Sequence, residues 1–514
     1  MKITVYDGAE TIGGNKIYVE ERERGVFLDF GMNFAKYGEY FEDFLRERSV
    51  RGIHDPLYLG LIPELNIYRS DLIPSDVDLS RYPKLNVEAV LISHAHLDHC
   101  GNAGYLHESV PIVASAITLA IMKAMRDCGR PGPGGEVTYH SQKQPCEDDR
   151  VLKSPQGKNF PYIGRDVVCV DDLSDELRNF ICYKPGQDDK NTKKLEAGEV
   201  CSLADSNFPF EIKAYGVDHS IYGATAYVLY GDTAVAYTGD LRMHGKLRDE
   251  TRKFVREARN VPVLIIEGTR AGRGEDFNVS EQDVYENCLM AVEESKGVVI
   301  ADFSPRNFER LETFKEIARE TGRQLIVTAK DAYMLHAIEL VDGVDRMEGL
   351  GIYGELKDRR EKWETEVVMK RWEELYVDPT EINRNPEGYI LCFSFYDMKH
   401  LLDIKPEGGV YVYSSSEAFS EEQEFDFLRL YNWLRTFNFW IYGFEIAEEG
   451  GKLKPEFVKG YHASGHASKE DLRWIIGQID PETIIPVHTD NPGWFEENFE
   501  NVKVLKDGES IEFN

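Results

Sequence analysis

Three histidines and an aspartate stand within six residues of one another: His94, His96, Asp98 and His99. Neutral imidazoles and carboxylates are ligands of a borderline metal such as zinc, and iron or manganese can use them too. Residues 87–92, just before them, are mostly apolar and read as a largely buried strand. Positions i and i+2 of a chain leaving a strand share a face, so His94 and His96 aim to one side. Asp98 and His99 can then serve a second ion beyond the first. The alternative is a chance polar cluster at a strand end, but buried histidines rarely come in threes without a ligand.

Other residues able to join this chemistry also close apolar runs. Asp29 ends the run 26–28 and suits either a second-shell carboxylate that orients a metal-bound histidine or a plain turn. His219 follows a strand over 211–216, and Asp240 follows one over 234–238 through Gly239. A carboxylate placed after a glycine at a strand end can reach two ions. Glu267 ends the apolar strand 261–266, and His488 ends the strand 483–487.

Ser464, Gly465, His466, Ala467 and Ser468 lead into a helix over 469–479, with Ser468 and Asp471 spaced as a capping box variant. Exposed N–H groups at such a helix start can hold a phosphate, and His466 can protonate a leaving oxygen. The plain alternative is a capped helix with two surface histidines. Ser304 and the trio Ser414, Ser415 and Ser416 mark two more hydroxyl-rich turns from strand to helix, which suit a phosphate or ordinary capping equally.

The elements that must carry these residues follow from periodicity. Residues 1–30 alternate as a meander of three strands. Residues 32–85 are rich in aromatics, Arg and Pro, with a helix expected near 40–48, and residues 127–203 read as loops and short strands that elaborate a core. From 280 to 435 the pattern becomes β-α-β-α, which predicts a parallel sheet with right-handed crossovers. No glycine-rich phosphate loop or dinucleotide fingerprint occurs in it. Residues 440–514 return to β patterning.

Composition narrows the function classes. A chain of 514 residues needs two or three domains. A formal net charge of −31 argues against a broad nucleic-acid-coating surface, though bound divalent ions can make a local site positive. No apolar run approaches the roughly 20 residues that span a bilayer. The N-terminus enters a strand pattern and not a signal peptide, and the eight cysteines include no C-x-x-C pair, so a reduced, cytoplasmic protein is expected.

With these residues in view, the sequence resembles a known family. His94, His96, Asp98 and His99 match the H-x-H-x-D-H signature of the metallo-β-lactamase fold, and Asp29, His219 and Asp240 resemble its other motifs in order. The insertion over about 275–435, with Glu267, His466 and His488, resembles the β-CASP branch of nucleases, and ribonuclease J in particular. The resemblance implies an α/β chain. It would be an αββα metallo-β-lactamase sandwich built from 1–274 and 438–514, with a parallel-sheet β-CASP domain inserted over 275–437. It further implies that His94, His96 and His219 hold one Zn²⁺ or Mn²⁺ ion, that Asp98, His99 and His488 hold a second, and that Asp240 bridges them.

Asp98, Glu267 and His466 are then the catalytic candidates, with Glu267 positioning His466. Within this branch a histidine at the last motif, here His488, goes with RNA cutting. The expected activity is two-metal hydrolysis of RNA, exonucleolytic from the 5′ end or endonucleolytic, on single strands, by a protein with a homodimer left open. Hydrolysis of a small ester, thioester or lactam, hydrolysis of DNA, and a silent scaffold in RNA processing are the competing readings.

Overall fold

Alternation along the first strands decides which face they bury. In Lys16–Glu21, Ile17 and Val19 enter one core while Tyr18 turns away to pack on Phe27, with ring centroids 5.0 Å apart. The computed structural model describes residues 1–42, 44–272, 278–304, 306–415, 421–449 and 452–513. It divides into two units: Met1–Met243 with Leu247–Asp276 and His466–Asn514, and His244–Lys246 with Phe277–Gly465.

The first unit is a sandwich of two sheets. An eight-stranded sheet runs in the order Val200–Ser202, Val167–Cys169, Ile112–Ala114, Val87–Leu91, Arg24–Leu28, Lys16–Glu21, Lys2–Asp7, Glu509–Glu512. A five-stranded sheet runs Glu211–Gly216, Thr225–Tyr230, Ala234–Tyr237, Val263–Glu267, Thr483–Val487. Ile3, Val19, Leu28 and Leu91 of the first sheet share one buried cluster with Leu229, Val235, Ile265 and Ile485 of the second. The opposite face of the second sheet, through Val228, Ala236, Leu264 and Ile484, packs under the helices Arg248–Glu257 and Lys469–Ile479. This is the layer order that the resemblance implies, and it spends the apolar face of each element.

Two expectations change here. Val167–Cys169 and Val200–Ser202 are not peripheral: they extend the main sheet in parallel from Ile112–Ala114. Three-residue strands carry too little alternation to be assigned to a sheet from sequence. The helix expected near 40–48 is replaced by short helices at Phe34–Gly38 and His54–Tyr58 with a 3₁₀ turn, Ser49–Arg51, between them.

The second unit is built on a seven-stranded sheet in the order Tyr376–Val377, Leu350–Tyr353, Gln324–Val327, Tyr389–Leu391, Val298–Asp302, Gly409–Tyr413, Phe439–Tyr442. Every pairing in it is parallel. Phe439–Tyr442 is its edge strand, and the hairpin Phe444–Glu449 with Lys452–Phe457 follows. This unit therefore continues to Gly465, past the boundary at 437 read from the sequence. Among the described residues, no helix is long and apolar enough to cross a membrane.

Asp302 ends an interior strand of this sheet, buried, with the Tyr411 hydroxyl donating to it. Burial pushes its carboxyl up to about 7, against that hydrogen bond and with help from Asp397. A carboxyl raised in the fold holds its proton where the unfolded chain has lost it, so its contribution is full below about pH 4 and is lost as pH rises to about 7. Asp302→Asn removes this dependence. The variant is expected to match the parent below about pH 4 and to exceed it by up to roughly 4 kcal/mol at pH 8. Urea denaturation at the two pH values reads the difference, and parallel stability curves would contradict it.

Candidate metal centre

The parallel strands of the sandwich deliver the candidate residues to one edge. Val87–Leu91 runs into Ser93 and His94, Glu211–Gly216 into His219, Ala234–Tyr237 into Asp240, and Thr483–Val487 into His488, while Glu267 is the last residue of Val263–Glu267. His96 caps the short helix Leu97–Cys100, which carries Asp98 and His99 in a single turn. That turn sits so close to the chain at Gly31 that a Cβ there would lie 1.6 Å from the Asp98 carbonyl oxygen. Gly239, just before Asp240, stands at φ 54° with Ser93 against it, so a side chain is excluded there twice.

Two groups of donors result. His94, His96 and His219 form one, with His94 Nε2 3.0 Å from His96 Nδ1 and His219 Nε2 3.3 Å from that same atom. Asp98, His99, Asp240 and His488 form the other, with His99 Nε2 3.2 Å from His488 Nε2 and His488 Nε2 3.4 Å from Asp98 Oδ2. Asp240 Oδ2 stands between them, 3.1 Å from His99 Nε2, 3.7 Å from His94 Nε2 and 3.9 Å from His219 Nε2. A third group, Asp240, Glu267 and His466, shares the same carboxylate.

These residues fit a metal. Two nitrogens bound at about 2.0–2.1 Å to one tetrahedral zinc lie about 3.3 Å apart, which is the spacing found between the paired imidazoles. Asp240 Oδ1 is buried without a hydrogen-bond partner, a condition a cation relieves. The outer ring nitrogens are already engaged: His94 Nδ1 with the Ser93 hydroxyl at 3.0 Å, His99 Nδ1 with Asp29 at 2.7 Å, and His488 Nδ1 with the Thr269 hydroxyl at 2.9 Å. That leaves the Nε2 atoms facing inward, as metal-binding histidines need.

Electrostatics favour the same arrangement. Burial and the neighbouring His99, His96 and His219 push His94 well below the ordinary histidine range, toward the neutral ligand form. Burial works against ionising Asp240, but His488, His99 and His466 overcome it and hold its carboxyl well below the ordinary range.

Glu267 and His466 lie beside this set. Glu267 is buried, and its Oε1 is 3.3 Å from His466 Nδ1 and accepts the Ala467 N–H at 3.3 Å, while its Oε2 accepts the Thr269 N–H at 2.9 Å. Burial opposes charge on His466, yet Glu267 and Asp240 raise its pKa above the ordinary value.

The phosphate-binding expectations fare less well. The Ala467 N–H is spent on Glu267. Ser468 caps Lys469–Ile479, with its N–H donating to Asp471 and its hydroxyl accepting the Asp471 N–H, so neither backbone N–H is left for an anion. Ser414 is fully buried: its hydroxyl donates to the Tyr461 carbonyl and accepts from Arg310, so it is no pocket wall. The Ser304 and Ser415 side chains are half-buried at the carboxyl ends of adjacent strands. The Ser464 carbonyl accepts from His244 Nε2 at 2.9 Å, Gly465 is buried nearby in sequence, and Ser416 lies outside the described residues.

Sequence reasoning missed three supports of the donor set. Thr269 holds His488. Arg242 and Asp218, both fully buried, pair at 3.2 Å and brace the neighbours His219 and Asp240. Tyr237 sends its hydroxyl to Asp29 at 2.6 Å. A signal existed for the last, since Tyr237 falls on the core face of its strand and a buried phenol needs a partner.

Comparison with known proteins agrees with this geometry. Residues 69–148 match the metallo-beta-lactamase superfamily, and residues 450–493 match the Zn-dependent metallo-hydrolase RNA specificity domain. Ribonuclease J of Pyrococcus abyssi is 22% identical over 511 residues, covering 95% of this chain and 89% of that protein. Ribonuclease J of Methanocaldococcus jannaschii is 21% identical, covering 95% and 91%. That of Sinorhizobium meliloti is 22% identical, covering 81% of this chain and 60% of its own. A crystal structure of a protein of unknown function from Enterococcus faecalis V583 shares the fold at a TM-score of 0.67, with 22% identity and 99% of both chains covered. The first match falls on His94, His96, Asp98 and His99, the second on His466 and His488, and the ribonuclease J similarity spans the interval between them. Together the two family matches and the ribonuclease J similarity over most of the chain support a β-CASP, ribonuclease J-like protein of the metallo-β-lactamase fold.

Proposed function

We propose that this protein is a metal-dependent ribonuclease that hydrolyses single-stranded RNA, working from the 5′ end. The observation that carries the reading is the convergence of seven donor atoms on one edge, with the Glu267–His466 pair alongside. RNA as substrate is supported by the RNA specificity match and by the ribonuclease J relatives.

In this reading His94, His96 and His219 would hold one zinc ion and Asp98, His99, His488 and Asp240 would hold a second. Five imidazoles with two carboxylates suit zinc, and manganese next. When bound, such ions supply Lewis acidity at the phosphoryl oxygens and a water molecule ionised near neutral pH.

The chain's own residues do the rest. Glu267 Oε1, 3.3 Å from His466 Nδ1, favours the protonated imidazole against the cost of burial, and in this reading His466 gives the proton that the leaving oxygen needs. Asp29, Ser93 and Thr269 hold the rings of His94, His99 and His488 in place. A reduced, cytoplasmic setting is supported by the eight cysteines, none of which forms a disulfide among the described residues.

The test uses four end-labelled substrates: single-stranded RNA with a 5′-monophosphate, the same RNA with a 5′-hydroxyl, duplex RNA and single-stranded DNA, each with Zn²⁺ or Mn²⁺. Stepwise loss of nucleotides from the monophosphorylated single strand is the expected result. Equal rates on both 5′ ends would remove the end-recognition step, and intact RNA beside hydrolysed DNA or a small ester would overturn the reading.

A further inference from the structure

Asp29 receives more hydrogen bonds than a turn at a strand end needs. Its Oδ1 accepts the Ser93 N–H at 2.7 Å, and its Oδ2 accepts the Ser93 hydroxyl at 2.8 Å and the Tyr237 hydroxyl at 2.6 Å. His99 Nδ1 lies 2.7 Å from that same Oδ2. Asp29 stands at φ 58°, in the left-handed region that non-glycine residues seldom adopt, and such strain persists only where the surroundings fix it. Asp29, Ser93, His99, Tyr237 and Asn15 are all buried.

We infer that Tyr237 is a positioning residue that fixes the tautomer and ring orientation of His99 through Asp29, and so sets how tightly the Asp98, His99, Asp240 and His488 group holds its ion. The inference rests on the metal-centre reading above and deepens it. A phenol has one proton to give. Asn15 donates its side-chain N–H to the Tyr237 oxygen at 3.0 Å, so the phenol proton is directed to Asp29. With the Ser93 N–H, the Ser93 hydroxyl and the Tyr237 hydroxyl all donating to it, Asp29 is held as a pure acceptor. His99 Nδ1 must then carry the ring hydrogen, and the Nε2 lone pair faces inward, 3.1 Å from Asp240 Oδ2 and 3.2 Å from His488 Nε2.

Tyr227 provides a matched control. It stands directly across the ladder from Tyr237 and is equally buried, but its hydroxyl donates to the Ile92 carbonyl at 2.8 Å and not to Asp29. The full-length parent, Tyr237→Phe and Tyr227→Phe proteins are stripped of metal and titrated with Zn²⁺ against a chromophoric chelator. Tyr237→Phe is expected to weaken one of two sites by roughly 10- to 100-fold and to spare the other, while Tyr227→Phe keeps both. Unchanged affinity in Tyr237→Phe, or equal weakening in the two variants, overturns the inference and leaves the metal centre standing. A parent protein that takes up no zinc removes the metal-centre reading and the inference with it. Should Tyr237→Phe unfold before titration, Asn15→Ala carries the test. It keeps the phenol but frees its proton, so a smaller weakening of the same site supports the inference and an unchanged site overturns it.

Discussion

Asp240→Ala is expected to lower RNA cleavage by roughly 10³- to 10⁵-fold, a barrier increase of about 4–7 kcal/mol, and to leave the dialysed protein with less than half of the parent's metal content. No other donor has its reach. Asp240 Oδ2 lies 3.1 Å from His99 Nε2 in one group and 3.7 Å from His94 Nε2 in the other. Without its carboxylate, Asp98 is the one anionic donor left beside the five imidazoles of the two groups. His96→Ala is the informative comparison. His96 is half-buried and belongs to the first group alone, so its loss should remove one ion and retain the other. Elemental analysis after dialysis, together with initial rates on 5′-labelled RNA, reads both effects. An Asp240→Ala protein with full metal content and parental rate would sink the shared-carboxylate arrangement.

The parts of this centre that could be read from the sequence share one property: each donor sits where an apolar strand ends. Strand-end position is a local pattern, and seven donors at such positions are visible without any knowledge of which strands pair. The layer order followed the same logic, since Ile17 and Val19 alternate with Tyr18, and the run 263–266 is apolar on both faces because both are covered. What escaped was what depends on partners far along the chain. The hydroxyl-rich turn at Ser414 looks locally like an anion site. Its fate is set instead by Arg310 and by the Tyr461 carbonyl, 104 and 47 residues away, which enclose the side chain. Ala467 and Ser468 were read as donors to phosphate, but Glu267, 200 residues upstream, claims the first and the helix cap claims the second. Tyr237 was passed over because it reads as an ordinary core residue, and only the fold brings Asp29 to its hydroxyl, 208 residues away. Local periodicity predicts which face a side chain takes. It does not predict which polar group waits on that face.

His466→Ala is expected to lower turnover by about 10²- to 10⁴-fold while metal content stays at the parental level, the separation that marks a proton donor beside a metal centre and not a ligand within it. The geometry argues for this split. His466 Nδ1 lies 3.3 Å from Glu267 and 3.8 Å from Asp240, so this nitrogen is turned to carboxylates and not to the paired imidazoles. Glu267 keeps its hydrogen bonds from the Ala467 and Thr269 N–H groups in the variant, so the buried carboxylate is not stranded. Two further readouts separate a proton donor from a merely structural histidine. A nitrophenyl phosphodiester, whose leaving group departs without a proton, should be cleaved by His466→Ala nearly as fast as by the parent. The pH–rate profile of Glu267→Gln on RNA should lose activity at lower pH than the parent on its alkaline side, because Glu267 and Asp240 together raise the His466 pKa and glutamine removes the larger of the two charges' effects. Equal loss on the activated and natural substrates would dismiss the proton-donor role. Loss of metal from His466→Ala would instead place this imidazole among the ligands, with Asp240 and Glu267 as its partners in a third site.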